Sequence, residues 1–134
     1  MFKITPIQDK ETQIKYAELS GTKAVDDAFA YAMLEVESGK PMGFSQFEIK
    51  EDGGRIFDLR HIGEDDYEAM FILGRQTMNF IDMCGAHLLY AAPDAADEQL
   101  LRAIGLKLTE SGEYFRDMTG LFDGEHCTDK TTDI

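Results

Sequence analysis

The chain has 134 residues, the length of one domain and enough to bury a real core. Its 43% hydrophobic and 29% charged residues are those of an ordinary soluble globular protein, and no run approaches the ~20 apolar residues of a membrane span. The net charge of -13, from 26 acidic and 13 basic residues, argues against nucleic acid, whose phosphates need clustered Lys and Arg. An acidic surface serves solubility and also attracts cations. Met1 to Pro6 lacks the apolar run of a secretion signal, so the cytoplasm is the expected location. Cys84 and Cys127 then read as free thiols.

Met1 to Ile7 alternates weakly, with Phe2 and Ile4 against Lys3 and Thr5, and predicts a short first strand. Asp9 is placed to cap a helix through Ser20, with Ile14, Ala17 and Tyr16 inward and Gly21 as its stop. Residues 24–30 are ambiguous between helix and strand. A strand follows over Ala30 to Glu37, then a turn at Ser38-Gly39-Lys40-Pro41. Met42 to Lys50 alternates imperfectly, and a bulge near Ser45-Gln46 repairs its phase. After the turn at residues 51–54 comes a strand to Ile62. Plain alternation puts Ile56, Asp58 and Arg60 on one face and Phe57, Leu59 and His61 on the other.

Tyr67 to Cys84 carries apolar residues at three- and four-residue spacing: Met70, Leu73, Gly74, Thr77, Ile81 and Cys84. Asp65 or Asp66 supplies its N-cap, Glu68 complements its dipole, and Gly85 stops it. Gly74 inside it implies a close approach to the sheet. His87 to Ala91 is an apolar strand. Strand, helix and strand in this order imply a right-handed crossover and parallel pairing. Pro93-Asp94 opens a helix to Ile104, followed by strands at 106–109 and 114–118. The expected architecture is α+β, one mixed sheet with helices on both faces. Its domain spans residues 1–118, with a polar tail at 119–134.

This order resembles the GCN5-related N-acetyltransferase (GNAT) fold. Glu37 to Phe44 looks like that family's Gly-Lys turn before a Gly-aromatic pair. Arg55 to Ala91 is similar to its central strand, helix and strand, and Ile104-Gly105-Leu106 is similar to the end of its last helix. The resemblance covers roughly residues 30–118 and implies acetyl-CoA as cofactor. It places a pantetheine arm between Leu59-Arg60-His61 and Leu88-Leu89-Tyr90, held by backbone groups.

Two positions depart from the family's pattern. Its diphosphate loop, Gln/Arg-x-x-Gly-x-Gly/Ala, falls here on Asp65, Glu68 and Met70, beside Glu64 and Asp66. These carboxylates compete for the helix N–H groups and repel diphosphate. The family's general-acid Tyr falls on Leu101, with Tyr90 and Tyr114 as substitutes.

The expected cofactor residues are therefore Leu59, Arg60, His61, Asp65, Asp66 and Glu68. The expected catalytic residues are His61 as base, with Asp58, or else Asp65 or Asp66, beside it, and Tyr90 as acid. Against this, His61 also reads as a plain half-exposed strand end, and Glu35, Glu37 and Glu48 as solvated strand residues. Cys84-x-x-His87 with Asp82 and His126-Cys127 offers zinc ligands, but adjacent His-Cys ligands are unusual and no metal is expected. The apolar helix stripe reads as core, or else as a homodimer face.

Two functions follow. One is acetyl transfer from acetyl-CoA to an amine of a small, cationic molecule or peptide. The alternative is a non-catalytic ligand-binding or interaction module of the same fold without the diphosphate site.

Overall fold

The computed structural model of the chain describes residues 1–122. Its elements run β1 (Phe2–Pro6), α1 (Lys10–Leu19), β2 (Phe29–Glu35), β3 (Pro41–Lys50), β4 (Gly53–His61), α2 (Tyr67–Met83), β5 (Leu88–Ala91), α3 (Glu98–Ile104), β6 (Lys107–Leu108) and β7 (Tyr114–Asp117). The seven strands form one sheet in the order β1-β2-β3-β4-β5-β7-β6. β1 to β4 pair antiparallel, with α1 between β1 and β2 and short turns joining β2 to β3 and β3 to β4, and the α2 crossover makes β4 and β5 parallel. Among the described residues no helix is long and apolar enough to cross a membrane.

Asp9 caps α1, accepting from the Thr12 N–H at 2.9 Å and the Thr12 hydroxyl at 2.8 Å. The inward face is Gln13, Tyr16 and Ala17, while Ile14 points to solvent, which corrects the expected stripe. A polar Gln13 faces inward because Gln46 of β3 lies beneath it, and the two amides hydrogen-bond at 2.9 Å. Residues 24–28 form no strand. The Val25 N–H and carbonyl bond to the Gln46 and Gln13 side chains, so that stretch needs no strand partner.

The bulge lies opposite the place expected for it. Gln46 pairs with Asp58 and Phe47 with Ile56, so the extra residue is Phe57 on β4. It breaks the alternation the sequence suggested. Ile56 and Leu59 both pack in the cluster beneath α2, while Asp58 pairs with Gln46 on the α1 side.

α2 lays Met70, Leu73, Met78 and Ile81 against Met33, Phe47, Ile56, Leu59 and Leu89. Each such side chain contributes about 1.5–3 kcal/mol relative to exposure. Cys84, expected inward, is exposed at the helix C-cap. The opposite face carries a smaller cluster of Tyr16, Ala17, Ala30, Ala32 and Phe44 under α1. α3 starts at Glu98 rather than at residue 93, and it packs Leu100, Leu101 and Ile104 inward. The expected tail from Thr119 is also corrected at its start, since Phe122 is buried and Leu121 packs against the core. The rest of that tail, with His126 and Cys127, lies outside the described residues.

Candidate functional site

The parallel register runs only from Gly54 opposite Leu89 to Ile56 opposite Ala91. Past it, the Phe57 bulge turns β4 away, and residues 92–97 run beside the strand as a loop. A cleft of about 530 Å³ opens there, lined by Leu59, Arg60, His61, Asp65, Tyr67, Met70, Ala96, Asp97, Gln99 and Leu100, with Ser20 from the end of α1. The expected wedge is thus present, but with a different second wall. Leu88-Leu89-Tyr90 cannot serve, because Leu89 and Tyr90 are paired to Gly54 and Arg55.

The floor is apolar, made of Leu59, Met70 and Leu100, and the rim is polar. The His61 Nδ1 lies 3.0 Å from the Gly63 carbonyl. A carbonyl only accepts, so Nδ1 carries the proton, and Nε2 of the neutral ring is an acceptor. Asp65 and Asp97 bring two carboxylates to the rim.

Arg60 is held from behind. Its Nε donates to Asp58 Oδ1 at 2.6 Å and its Nη2 to the Asp94 carbonyl at 2.8 Å. Asp58 is almost wholly buried and also accepts from the Gln46 amide at 2.8 Å. Gln46 is itself fully buried, donating to the Lys23 carbonyl and accepting from Val25 N–H and Gln13. Burying such groups is tolerable only when each is satisfied, and here the relay satisfies them.

The predicted residues divide accordingly. Leu59, Arg60, His61 and Asp65 meet in the cleft. Asp66 faces the helix instead, and its carboxylate accepts from the Ala69 N–H at 3.1 Å as the α2 N-cap. Glu68 sits exposed in the first turn of α2, outside the cleft lining. Asp58 does not partner His61, because its oxygens are bonded to Gln46 and Arg60. Tyr90 lies in a separate small pocket with Gly53, Gly54 and Arg55, its ring under the Arg55 guanidinium. It is therefore not placed to protonate anything beside His61. Leu101 is fully buried.

Sequence reasoning missed Ser20, Ala96, Asp97, Gln99 and the Gln13–Gln46 relay. Starting the last helix at Pro93 hid the loop that carries the second wall. Gln46 looked like one more polar residue on a half-exposed strand.

A coenzyme A diphosphate does not fit the residues at the α2 N-terminus. The Ala69 N–H there is already taken by Asp66, and Glu64, Asp65 and Glu68 add further negative charge along the same stretch of chain. Met70 stands where the second glycine of the loop is required, and its side chain is buried in the core under Gly43. On the wedge side, the Leu59 N–H already donates to the Ala95 carbonyl at 2.8 Å.

The zinc alternative divides too. His87 Nδ1 lies 2.5 Å from Asp82 Oδ1. Among the described residues no group of three or more His, Cys, Asp or Glu is placed to hold a metal.

By sequence, no family model matches the chain and no curated protein is similar to it. By structure it is similar to several solved proteins. A KacTA–DNA complex matches with TM-score 0.67 and 12% identity over 94% of this chain and 99% of that one. An Escherichia coli protein assigned as an N-acetyltransferase and solved with coenzyme A gives 0.62 and 13% over 87% and 98%. The ribosomal-protein-S18-alanine N-acetyltransferase of Escherichia coli gives 0.58 and 13% over 86% and 89%. The fold is the GNAT acyltransferase fold, with a single mixed seven-stranded sheet and three helices among the described residues.

Proposed function

We propose that this chain is a ligand-binding member of the GNAT fold, and that its cleft takes a small amine without a coenzyme A diphosphate at α2. The carrying observation is the Asp66 carboxylate seated on the Ala69 N–H, one of the helix-start groups a phosphate would use. Asp65 and Asp97 supply negative charge for an ammonium group, the His61 ring adds a polar contact, and Leu59, Met70 and Leu100 cover an apolar body.

The names of the similar structures favour a second reading, acetyl transfer to the same amine. Calorimetric titration of the full chain with acetyl-CoA and, separately, with isoamylamine decides between them. The first reading expects amine binding and no heat from acetyl-CoA at millimolar concentration. Micromolar acetyl-CoA binding overturns it in favour of the second.

A further inference from the structure

The relay behind Arg60 is more construction than a surface arginine needs. Fixing an arginine side chain costs rotamer freedom. Here a buried carboxylate, a fully buried glutamine and a helix glutamine are arranged in series behind one guanidinium. The pair is lopsided in its exposure: the Asp58 side chain is 7% exposed and that of Arg60 is 32% exposed. A molecule in the cleft therefore meets the guanidinium, while the counter-charge bonded to it is buried. Nε–H and one Nη2–H are used, which leaves three of the five guanidinium donors for a ligand.

The same cleft carries Asp65 and Asp97. A simple anion meets Arg60 but also these two carboxylates and a surface of charge -13. A simple cation satisfies the carboxylates and leaves Arg60 unused. A zwitterion satisfies both.

We infer that the cleft recognises an amino acid or a molecule with an amino-acid end, its carboxylate on Arg60 and its ammonium on Asp65 and Asp97. This rests on the amine-binding reading above and names its ligand class. The apolar floor of Leu59, Met70 and Leu100 selects an aliphatic side chain, and a guanidinium fork binds a carboxylate in two parallel bonds that an ammonium cannot copy.

The test is calorimetry on the full chain with three probes of one shape: L-leucine, L-leucinamide, which lacks the carboxylate, and 4-methylpentanoate, which lacks the ammonium. L-leucine is expected to bind at least ~10-fold more tightly than either analogue. Arg60→Lys keeps a charge beside Asp58 but loses the fork. It is expected to erase the preference for leucine over leucinamide, with circular dichroism confirming the fold. Leucinamide binding as tightly as leucine, or Arg60→Lys retaining the ratio, overturns the zwitterion and leaves the amine cleft standing. Failure of both ammonium-bearing probes at millimolar concentration overturns the amine cleft as well.

Discussion

The Leu59 N–H donates to the Ala95 carbonyl at 2.8 Å across the gap where β4 and β5 have ceased to pair. This bond ties the splayed end of β4 to the loop carrying Ala96 and Asp97, and it fixes the width of the cleft between them. Both residues are buried, so the bond is shielded from water. Amide hydrogen exchange followed by NMR is expected to show Leu59 strongly protected, and equally so with and without millimolar acetyl-CoA. Faster exchange at Leu59 on adding acetyl-CoA would mean that a ligand displaces Ala95 from the strand.

Gly74 is a space requirement rather than a flexible joint. A Cβ there would meet Ile104 Cγ2 at 2.9 Å and Leu59 Cδ2 at 3.0 Å. Gly74→Ala gains about 1 kcal/mol of helix propensity, but overpacking a core costs about 1–3 kcal/mol. The net expectation is a loss of about 1 kcal/mol in urea unfolding. A stabilised variant would mean that α2 has room to move off Leu59 and α3.

That close approach was legible in the sequence, because a glycine on the apolar side of a periodic helix weakens the helix unless a neighbour fills the space a side chain would take. The same holds for the caps at Asp9 and Asp66 and for the parallel crossover, all local in their chemistry. What was not legible depended on register. One inserted residue, Phe57, brings Ile56 and Leu59 onto the same face under α2, and no local pattern announces it. The catalytic pairing of Asp58 with His61 failed because both Asp58 oxygens are committed to Gln46 and Arg60. Tyr90 failed likewise, because its strand pairs with the start of β4 rather than its end. Gln13 and Gln46 are 33 residues apart and acquire meaning only together.

Ser45 and Thr77 join β3 to α2 through hydroxyls 2.9 Å apart, in a place without solvent. The Thr77 hydroxyl donates its one proton to the Leu73 carbonyl, so Ser45 is the donor of the shared bond. The two single variants are therefore unequal. Thr77→Val strands a buried Ser45 O–H and is expected to cost about 1–3 kcal/mol. Ser45→Ala leaves Thr77 satisfied and is expected to cost about 1 kcal/mol or less. The double variant is expected to be more stable than Thr77→Val alone, measured by urea unfolding. Equal single costs would reverse the donor assignment.

Acid should unfold this chain through carboxylates that the fold holds in their charged form. Hydrogen bonds from Thr12 lower Asp9, the bond from Lys10 lowers Asp26, and that from Arg102 lowers Glu98. The Arg55 guanidinium lowers Glu113, and Thr119 lowers Asp117. Their ordinary values are 3.8 for aspartate and 4.5 for glutamate. A carboxylate lowered by folding adds stability that is fully present above its unfolded pKa and is lost as pH falls through the folded one. Urea midpoints are therefore expected to hold from neutral pH down to about 5 and then to fall steadily below about 4. Glu113→Gln removes one of these groups together with its tie to Arg55. It is expected to lower the midpoint at neutral pH and to flatten the acid limb. An unchanged acid limb in that variant would show that the Arg55–Glu113 pair contributes nothing to the pH dependence.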